Sequence, residues 1–298
     1  MNDSQQPAFK SGFITIFGAP NAGKSTLLNF ILGEKVSIVS SKPQTTRNRI
    51  LGVAHYPNAQ MVFFDTPGVF EANDVFNGRI VSAAMSALSD CDIVIVMVDV
   101  TTHNQKEEDF LVKALQKAQP MALLALNKVD KVDKPQLLAL MDKWSKLYDF
   151  KTIVPISALN GLQVDVLLDE AEKLLPEGMP FYPADTFTEM SERFIAGELI
   201  REKVFRFTGA EIPYATAVHI DEFKEKKDVI YIAATINIER DSQKGIIIGK
   251  GGAKLKEIST EARRDIERMV GCKVFLELFV RVQKNWRRDL TALDDFGY

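Results

Sequence analysis

Short apolar runs alternating with stretches of helical spacing organise the first part of the chain. Residues 13–17, 61–64, 93–98, 121–126 and 153–156 are nearly continuous in Val, Ile, Leu, Phe and Met, as strands buried on both faces are. Between them, 106–118 and 135–147 place apolar residues three and four apart, the second through Leu137, Leu138, Met141 and Trp144, which predicts helices. Strands alternating with helices imply an α/β domain, a mostly parallel sheet with helices on both faces. A further helix is expected over 162–175, and Pro176, Gly178, Pro180 and Pro183 then break the pattern. This divides the chain into a first domain at 1–177, a linker at 178–185 and a second domain at 186–298. The second reads as a helix (189–207), two strands (214–221, 229–239), a Gly-rich loop, a charged helix (253–270) and a last strand (274–282).

Composition changes this picture little. The 298 residues are 46% hydrophobic and 26% charged, ordinary for globular domains. The two cysteines, Cys91 and Cys272, form neither a disulfide framework nor a metal-ligand spacing, so a reducing cytoplasm is expected. Residues 1–10 are polar and lack the apolar core of a signal peptide, and the longest apolar run, 93–98, is too short to span a bilayer; a soluble protein is expected. Charge is more informative by position than in sum. Residues 245–288 hold eleven Lys and Arg against five Asp and Glu, although the whole chain is at −3. A basic end therefore follows an acidic body, as nucleic-acid binding would favour.

The strongest chemical signal is Gly18-Ala19-Pro20-Asn21-Ala22-Gly23-Lys24-Ser25-Thr26, which fits the phosphate-cradling G-x-x-x-x-G-K-[ST] between a predicted strand and helix. Glycine lets backbone N–H groups point at phosphate, and the helix N-terminus adds partial positive charge. Lys24 would reach the β- and γ-phosphates and Ser25 would ligate Mg²⁺. Asp65-Thr66-Pro67-Gly68 follows the 61–64 run; Asp65 could hold Mg²⁺ and the Gly68 N–H could meet the γ-phosphate. Asn127-Lys128-Val129-Asp130 follows the 121–126 run. A carboxylate at Asp130 can accept from both guanine N1–H and N2–H₂, whereas adenine would leave it unpaired. Ser157-Ala158 follows the next strand, where the Ala158 N–H could donate to guanine O6. These residues are the expected GTP and GDP site.

Four motifs in this order resemble those of translation-factor-related GTPases, in which Gln44-Thr45-Thr46-Arg47 would form the first switch. Thr46 is the candidate Mg²⁺-ligating threonine and Thr45 the near alternative, so the metal set is Ser25, Thr46 and Asp65 and the catalytic set Lys24, Thr46 and Gly68. Ras-like GTPases carry a water-positioning glutamine after the D-x-x-G glycine, but here that residue is Val69, so slow intrinsic hydrolysis is expected. Similar GTPases with asparagine at the position of Asn21 use it to hold K⁺ near the phosphates; the other reading is that Asn21 serves the loop's backbone geometry.

In the second domain, Ile248-Gly249-Lys250-Gly251-Gly252, with Lys254 just beyond, contains G-x-x-G. The loop, its basic flanks and the helix–strand–strand–helix–helix–strand order resemble an α+β type II KH domain, in which RNA backbone approaches a glycine loop closely. Trp286, between Lys284 and Arg287-Arg288, could stack on a base or pack on the domain.

Over nearly its full length the chain resembles the Era family of bacterial ribosome-assembly GTPases. That resemblance implies a GTP-hydrolysing switch that binds the 3′ end of small-subunit ribosomal RNA during assembly of the 30S subunit, with Mg²⁺, possible use of K⁺, and peripheral association with the cytoplasmic face of the membrane. The rival reading is a GTP-dependent scaffold whose second domain docks on protein or membrane. A metabolic GTP-consuming enzyme ranks last, because no Cys–His or carboxylate pair stands out beyond the nucleotide site.

Overall fold

The computed structural model describes residues 8–40, 42, 45–70, 74–209 and 212–298. Gln44 of the expected first switch lies outside them. Two compact units make up the chain: residues 1–36, 46–72 and 80–189 form one, and residues 37–45, 73–79 and 190–298 the other.

The first unit is built on a six-stranded sheet in the order β2-β3-β1-β4-β5-β6. Its strands are β1 (Lys10–Gly18), β2 (Ile50–Tyr56), β3 (Ala59–Asp65), β4 (Ile93–Asp99), β5 (Ala122–Asn127) and β6 (Ile153–Ile156). All neighbours pair in parallel except β2 with β3. The central strands are buried from end to end, as their continuous apolar runs require. Helices α1 (Lys24–Leu32), α2 (Val75–Ser86), α3 (Gln105–Ala118) and α4 (Lys134–Ser145) connect them and α5 (Val164–Leu174) follows β6, α2 beginning within residues assigned to the second unit. One core cluster joins Phe17, Val94 and Val96 of the sheet to Leu111 and Leu115 of α3 and Leu140 and Trp144 of α4. Leu138, read from its spacing as part of that face, is instead 65% exposed; the true stripe runs through Leu140 and Trp144. Strand β2 escaped the hydrophobic pattern because Gly52 and His55 interrupt it. Gly52 is needed there, since a Cβ would lie 2.7 Å from a Leu32 methyl and 2.8 Å from one of Leu28.

After α5 the chain does not float free. Ser11 N–H donates to the Pro176 carbonyl, Gly178 N–H to that of Phe9, and Val53 N–H to that of Phe187. The buried Gln60 carboxamide accepts from the Phe181 and Tyr182 amides and donates to the Tyr182 carbonyl. The proline-rich stretch is thus strapped along β1 and the edge strand β2.

The second unit contains α6 (Glu192–Phe207), β7 (Ala217–Lys226), β8 (Val229–Ile238), α7 (Asp241–Ile248), α8 (Ala253–Val270), β9 (Lys273–Val282) and α9 (Leu290–Asp295). The three strands pair in the order β7-β8-β9, antiparallel and then parallel. Ile195, Leu199 and Ile200 of α6, Ile232 and Ile236 of β8, and Ile258, Ala262 and Ile266 of α8 share its core. In α8 these last three recur every fourth residue, leaving the opposite face to Lys256, Arg263, Arg264 and Arg268, all exposed. Trp286 is fully buried and donates from Nε1 to the Ala215 carbonyl at 3.0 Å, with the Phe76, Phe296 and Tyr298 rings packed around it. Of its two readings, packing is the one observed.

Candidate functional site: a nucleotide cleft and a glycine loop

In the first unit, β1, β3, β4, β5 and β6 run parallel, so their carboxyl ends lie on one edge of the sheet, where open α/β folds bind ligands. Each expected motif falls on a loop leaving that edge. The Gly18–Gly23 turn uses glycine for stated reasons. Gly23 has φ +101°, and a Cβ on it would lie 2.3 Å from Asn127 Nδ2; one on Gly18 would lie 2.4 Å from the Met97 carbonyl oxygen. Asn21 also holds a left-handed backbone, φ +61°. Lys24 is buried and donates to the Gly18 and Ala19 carbonyls at 3.1 and 2.9 Å. Burial pushes its ammonium down to about 8, against the opposing pull of Asp65 and Glu107.

Three oxygens meet at the start of α1. Ser25 Oγ lies 2.8 Å from Thr46 Oγ1 and donates to Asp65 Oδ2 at 2.6 Å. Thr45 turns elsewhere, donating to the Lys42 carbonyl at 2.7 Å. Two hydroxyls and a carboxylate are the hard donor set that Mg²⁺ takes. The Asp65-Thr66-Pro67-Gly68 loop is pressed onto the phosphate loop: a Cβ at Gly68 would lie 2.6 Å from Pro20 Cα, Thr66 Oγ1 donates to the Ile16 carbonyl, and Val69 N–H donates to the Gly18 carbonyl. The Val69 side chain is fully buried in the core cluster, so it faces away from any bound phosphate.

On the far side of the cleft, Asn127 Nδ2 donates to the Ala22 carbonyl at 2.7 Å and its Oδ1 accepts the Ala158 N–H at 2.9 Å. One carboxamide thereby joins three loops. The Ala158 N–H, expected to serve guanine O6, is committed here to Asn127. Ser157 is buried beside it, and Asp130 sits exposed in the turn after Asn127. Lys128, left-handed at φ +71°, is ion-paired with Asp99. Burial would raise the Asp99 carboxyl, but the Lys128 and Thr101 donors outweigh it and hold it below the usual range. The sequence reading overlooked Asp99; its only signal was a carboxylate ending a buried strand. Glu107, also overlooked, is raised by partial burial, opposed by a hydrogen bond from Asn104 and by Lys24.

In the second unit the glycine loop joins α7 to α8, with Gly249, Gly251 and Gly252 at φ +71°, +60° and +80°. Their roles differ. A Cβ on Gly249 would strike Lys254 Cβ at 2.8 Å, whereas at Gly251 and Gly252 it would meet only open space. The outer two glycines thus leave backbone bare towards solvent. Lys250 is exposed, while Ile248 and Lys254 are half-buried. Ile246, one turn before the loop and 47% exposed, is an apolar surface residue that spacing alone did not single out. Arg264 and Arg268 pair with Glu261 and Asp265 of their own helix, which leaves Lys250, Lys254, Lys256 and Arg263 as the more available cations.

A nucleotide-type cleft at the carboxyl edge of a parallel sheet, followed by a glycine-loop RNA-binding fold, defines a P-loop GTPase joined to a KH domain. Residues 13–128 match the family described as 50S ribosome-binding GTPase, and residues 211–287 the KH domain. Among curated relatives, GTPase Era of Syntrophus aciditrophicus is 50% identical over 97% of this chain and 95% of its own length. GTPase Era of Geobacter metallireducens is 50% identical over 97% and 98%. A crystal structure of Era in complex with MgGDPNP and nucleotides 1506–1542 of 16S ribosomal RNA superimposes with a TM-score of 0.94 at 40% identity, covering 97% of this chain and 99% of that one. Aquifex aeolicus Era, as a variant bound to GDP·AlF4⁻, gives the same values. The chain belongs to the Era family of GTPases. No helix among the described residues is long and apolar enough to cross a membrane.

Proposed function

We propose that this chain is a GTP-operated switch that binds single-stranded RNA at the 3′ end of small-subunit ribosomal RNA during 30S assembly. The observation that carries the RNA half is the bare backbone at Gly251 and Gly252, beside Lys250 and Lys254. RNA phosphates need such an approach, and any Cβ-bearing neighbour would hold them off. The complex between an Era relative and nucleotides 1506–1542 supports the choice of target.

At the nucleotide site, Gly18 through Thr26 would wrap the phosphates, Lys24 would leave its loop carbonyls for the phosphate oxygens, and Asp130 would select guanine. Ser25, Thr46 and Asp65 would hold Mg²⁺, which supplies charge neutralisation at the phosphates when bound. Gly68 N–H would sense the γ-phosphate, so that Thr46 and Gly68 change partners when it leaves. Asn21 is the candidate for a K⁺-dependent contribution; equal hydrolysis rates in Na⁺ and K⁺ would remove it.

The test is binding of the full chain to a single-stranded RNA of that 3′ sequence and to a scrambled control, with GDPNP or GDP, at several salt concentrations. Sequence-dependent binding that differs between nucleotides is expected, and Gly251→Asp should abolish it by setting a carboxylate where phosphate passes. Equal affinity for both RNAs, or for both nucleotide states, refutes the switch. Pelleting with anionic vesicles tests the membrane association implied by the resemblance; vesicle binding without RNA binding would favour the scaffold reading.

A further inference from the structure

Helix α6 presents a physical puzzle. Glu198, Arg201, Glu202 and Lys203 are side chains that a helix normally turns to water, yet all four are buried, Arg201 completely. Within the second unit, Val39, Lys42 and Thr45 engage this helix. Val39 N–H donates to Glu202 Oε1 at 3.2 Å. Lys42 Nζ donates to the Phe205 and Thr208 carbonyls, at the helix end that attracts a cation. The Arg201 guanidinium is gripped by Glu198, Nε to Oε1 at 2.7 Å and Nη2 to Oε2 at 2.5 Å, and Nη2 also donates to the Thr45 carbonyl at 2.5 Å. The Lys42 carbonyl accepts from the Thr45 hydroxyl at 2.7 Å.

The next residue is Thr46, whose hydroxyl lies against Ser25, and the boundary between the two units falls at the Thr45–Thr46 peptide. That peptide is planar, so fixing the Thr45 carbonyl also fixes the direction of the Thr46 N–H and limits where the Thr46 side chain can swing. We propose that Arg201 is a positioning residue for the nucleotide switch: from α6 it holds the Thr45 carbonyl so that the Thr46 hydroxyl stays at Ser25 and Asp65. Glu198 is its anchor, keeping the fork aimed. This rests on the reading of Thr46 as the switch threonine.

Arg201→Lys in the full chain is the test. Lysine keeps the positive charge beside Glu198 but lacks the planar fork that spans carboxylate and carbonyl together. Losing a charge-assisted hydrogen bond should raise the Mg²⁺ concentration for half-maximal GDPNP binding by about tenfold or more. The GDPNP-to-GDP affinity ratio should fall by a similar factor, and amide exchange should quicken over 45–49. GDP affinity itself should hold. A lower melting temperature with an unchanged Mg²⁺ midpoint and affinity ratio overturns the proposal and makes Arg201 purely structural. If that variant does not fold, Glu198→Gln, which loosens the fork without removing it, must shift the same midpoint in the same direction; no shift overturns the proposal. Thr46→Val is the control. If it too leaves the midpoint unchanged, the reading of Thr46 has failed, whereas a shift in Thr46→Val alone refutes only the role given to Arg201.

Discussion

Asn127→Ala probes the joint that holds the nucleotide loops together. The carboxamide makes two short hydrogen bonds, to the Ala22 carbonyl and from the Ala158 N–H, in a position only 3% exposed. Each bond contributes about 1 kcal/mol net, and a buried amide left without its acceptor costs about 1–3 kcal/mol more. The variant therefore loses about 3–5 kcal/mol. Where that loss falls depends on when the loops are ordered. If they remain ordered without Asn127, it falls on folding; if they loosen, GDP must reassemble them, and at about 1.4 kcal/mol per tenfold the affinity drops by about 100- to 4,000-fold. Asn127→Asp should be no better, because it keeps an acceptor for Ala158 but turns a carboxylate towards the Ala22 carbonyl. Gly23→Ala approaches the same joint from the other side, since its Cβ would lie 2.3 Å from Asn127 Nδ2 on a backbone at φ +101°. Equilibrium binding of fluorescent GDP, with chemical denaturation alongside, separates the two losses. If Asn127→Ala stays within threefold of the parent in GDP affinity and within 0.5 kcal/mol in stability, the loops do not depend on this joint and the reasoning fails.

Three further outcomes follow from burial. Val69→Gln should not install a water-positioning glutamine, because Val69 is fully buried in the core cluster; stability should fall by about 1–3 kcal/mol, and a tenfold rise in single-turnover hydrolysis would refute this. Lys24, pushed down to about 8 by burial, is largely neutral in the free protein above that pH, and phosphate favours its charged form. GDP binding should then take up about 0.7 proton at pH 8.5 and weaken as pH rises further, which calorimetry in two buffers of unlike ionisation enthalpy measures; zero uptake refutes it. Trp286→Ala should cost about 3–5 kcal/mol of stability, because the indole is enclosed and hydrogen-bonded to Ala215; weaker RNA binding with unchanged denaturation would restore the base-stacking role.

What the sequence reveals, and what it hides, follows from the range of the interactions. Strands such as β4 and β5 are continuous apolar runs, and the phosphate and guanine motifs sit where those runs end, so local pattern was enough. β2 stayed hidden because it is an edge strand broken by Gly52 and His55, and α2 because Asn77-Gly78 weakens its helical pattern. Choices that depend on distant partners could not be read locally. Thr46 rather than Thr45 faces Ser25, Thr45 donating instead to the Lys42 carbonyl, and the Ala158 N–H is taken by a side chain 31 residues away. α6 is the clearest case: its buried charges meet partners distant in sequence, Arg201 at the Thr45 carbonyl and Lys203 at Asp265.

Hydrolysis is the step for which the nucleotide cleft supplies least. In phosphoryl transfer, positioning and electrostatics do nearly all the work, and Val69 contributes neither, since its side chain belongs to the core. The groups that remain in the proposed site, Lys24, Thr46, Asp65 and the Gly68 N–H, would recognise the γ-phosphate better than they would activate water. A GTP state so held would be expected to decay slowly, and a slow state is one whose lifetime others can set. One boundary between the two units falls at Thr45–Thr46, where the proposed hold of Arg201 on the Thr45 carbonyl would let such control enter. If Arg201 positions Thr46 as proposed, a change of about 1.4 kcal/mol in its hold on the Thr45 carbonyl would shift the population of a correctly placed Thr46 by about tenfold, without touching the nucleotide.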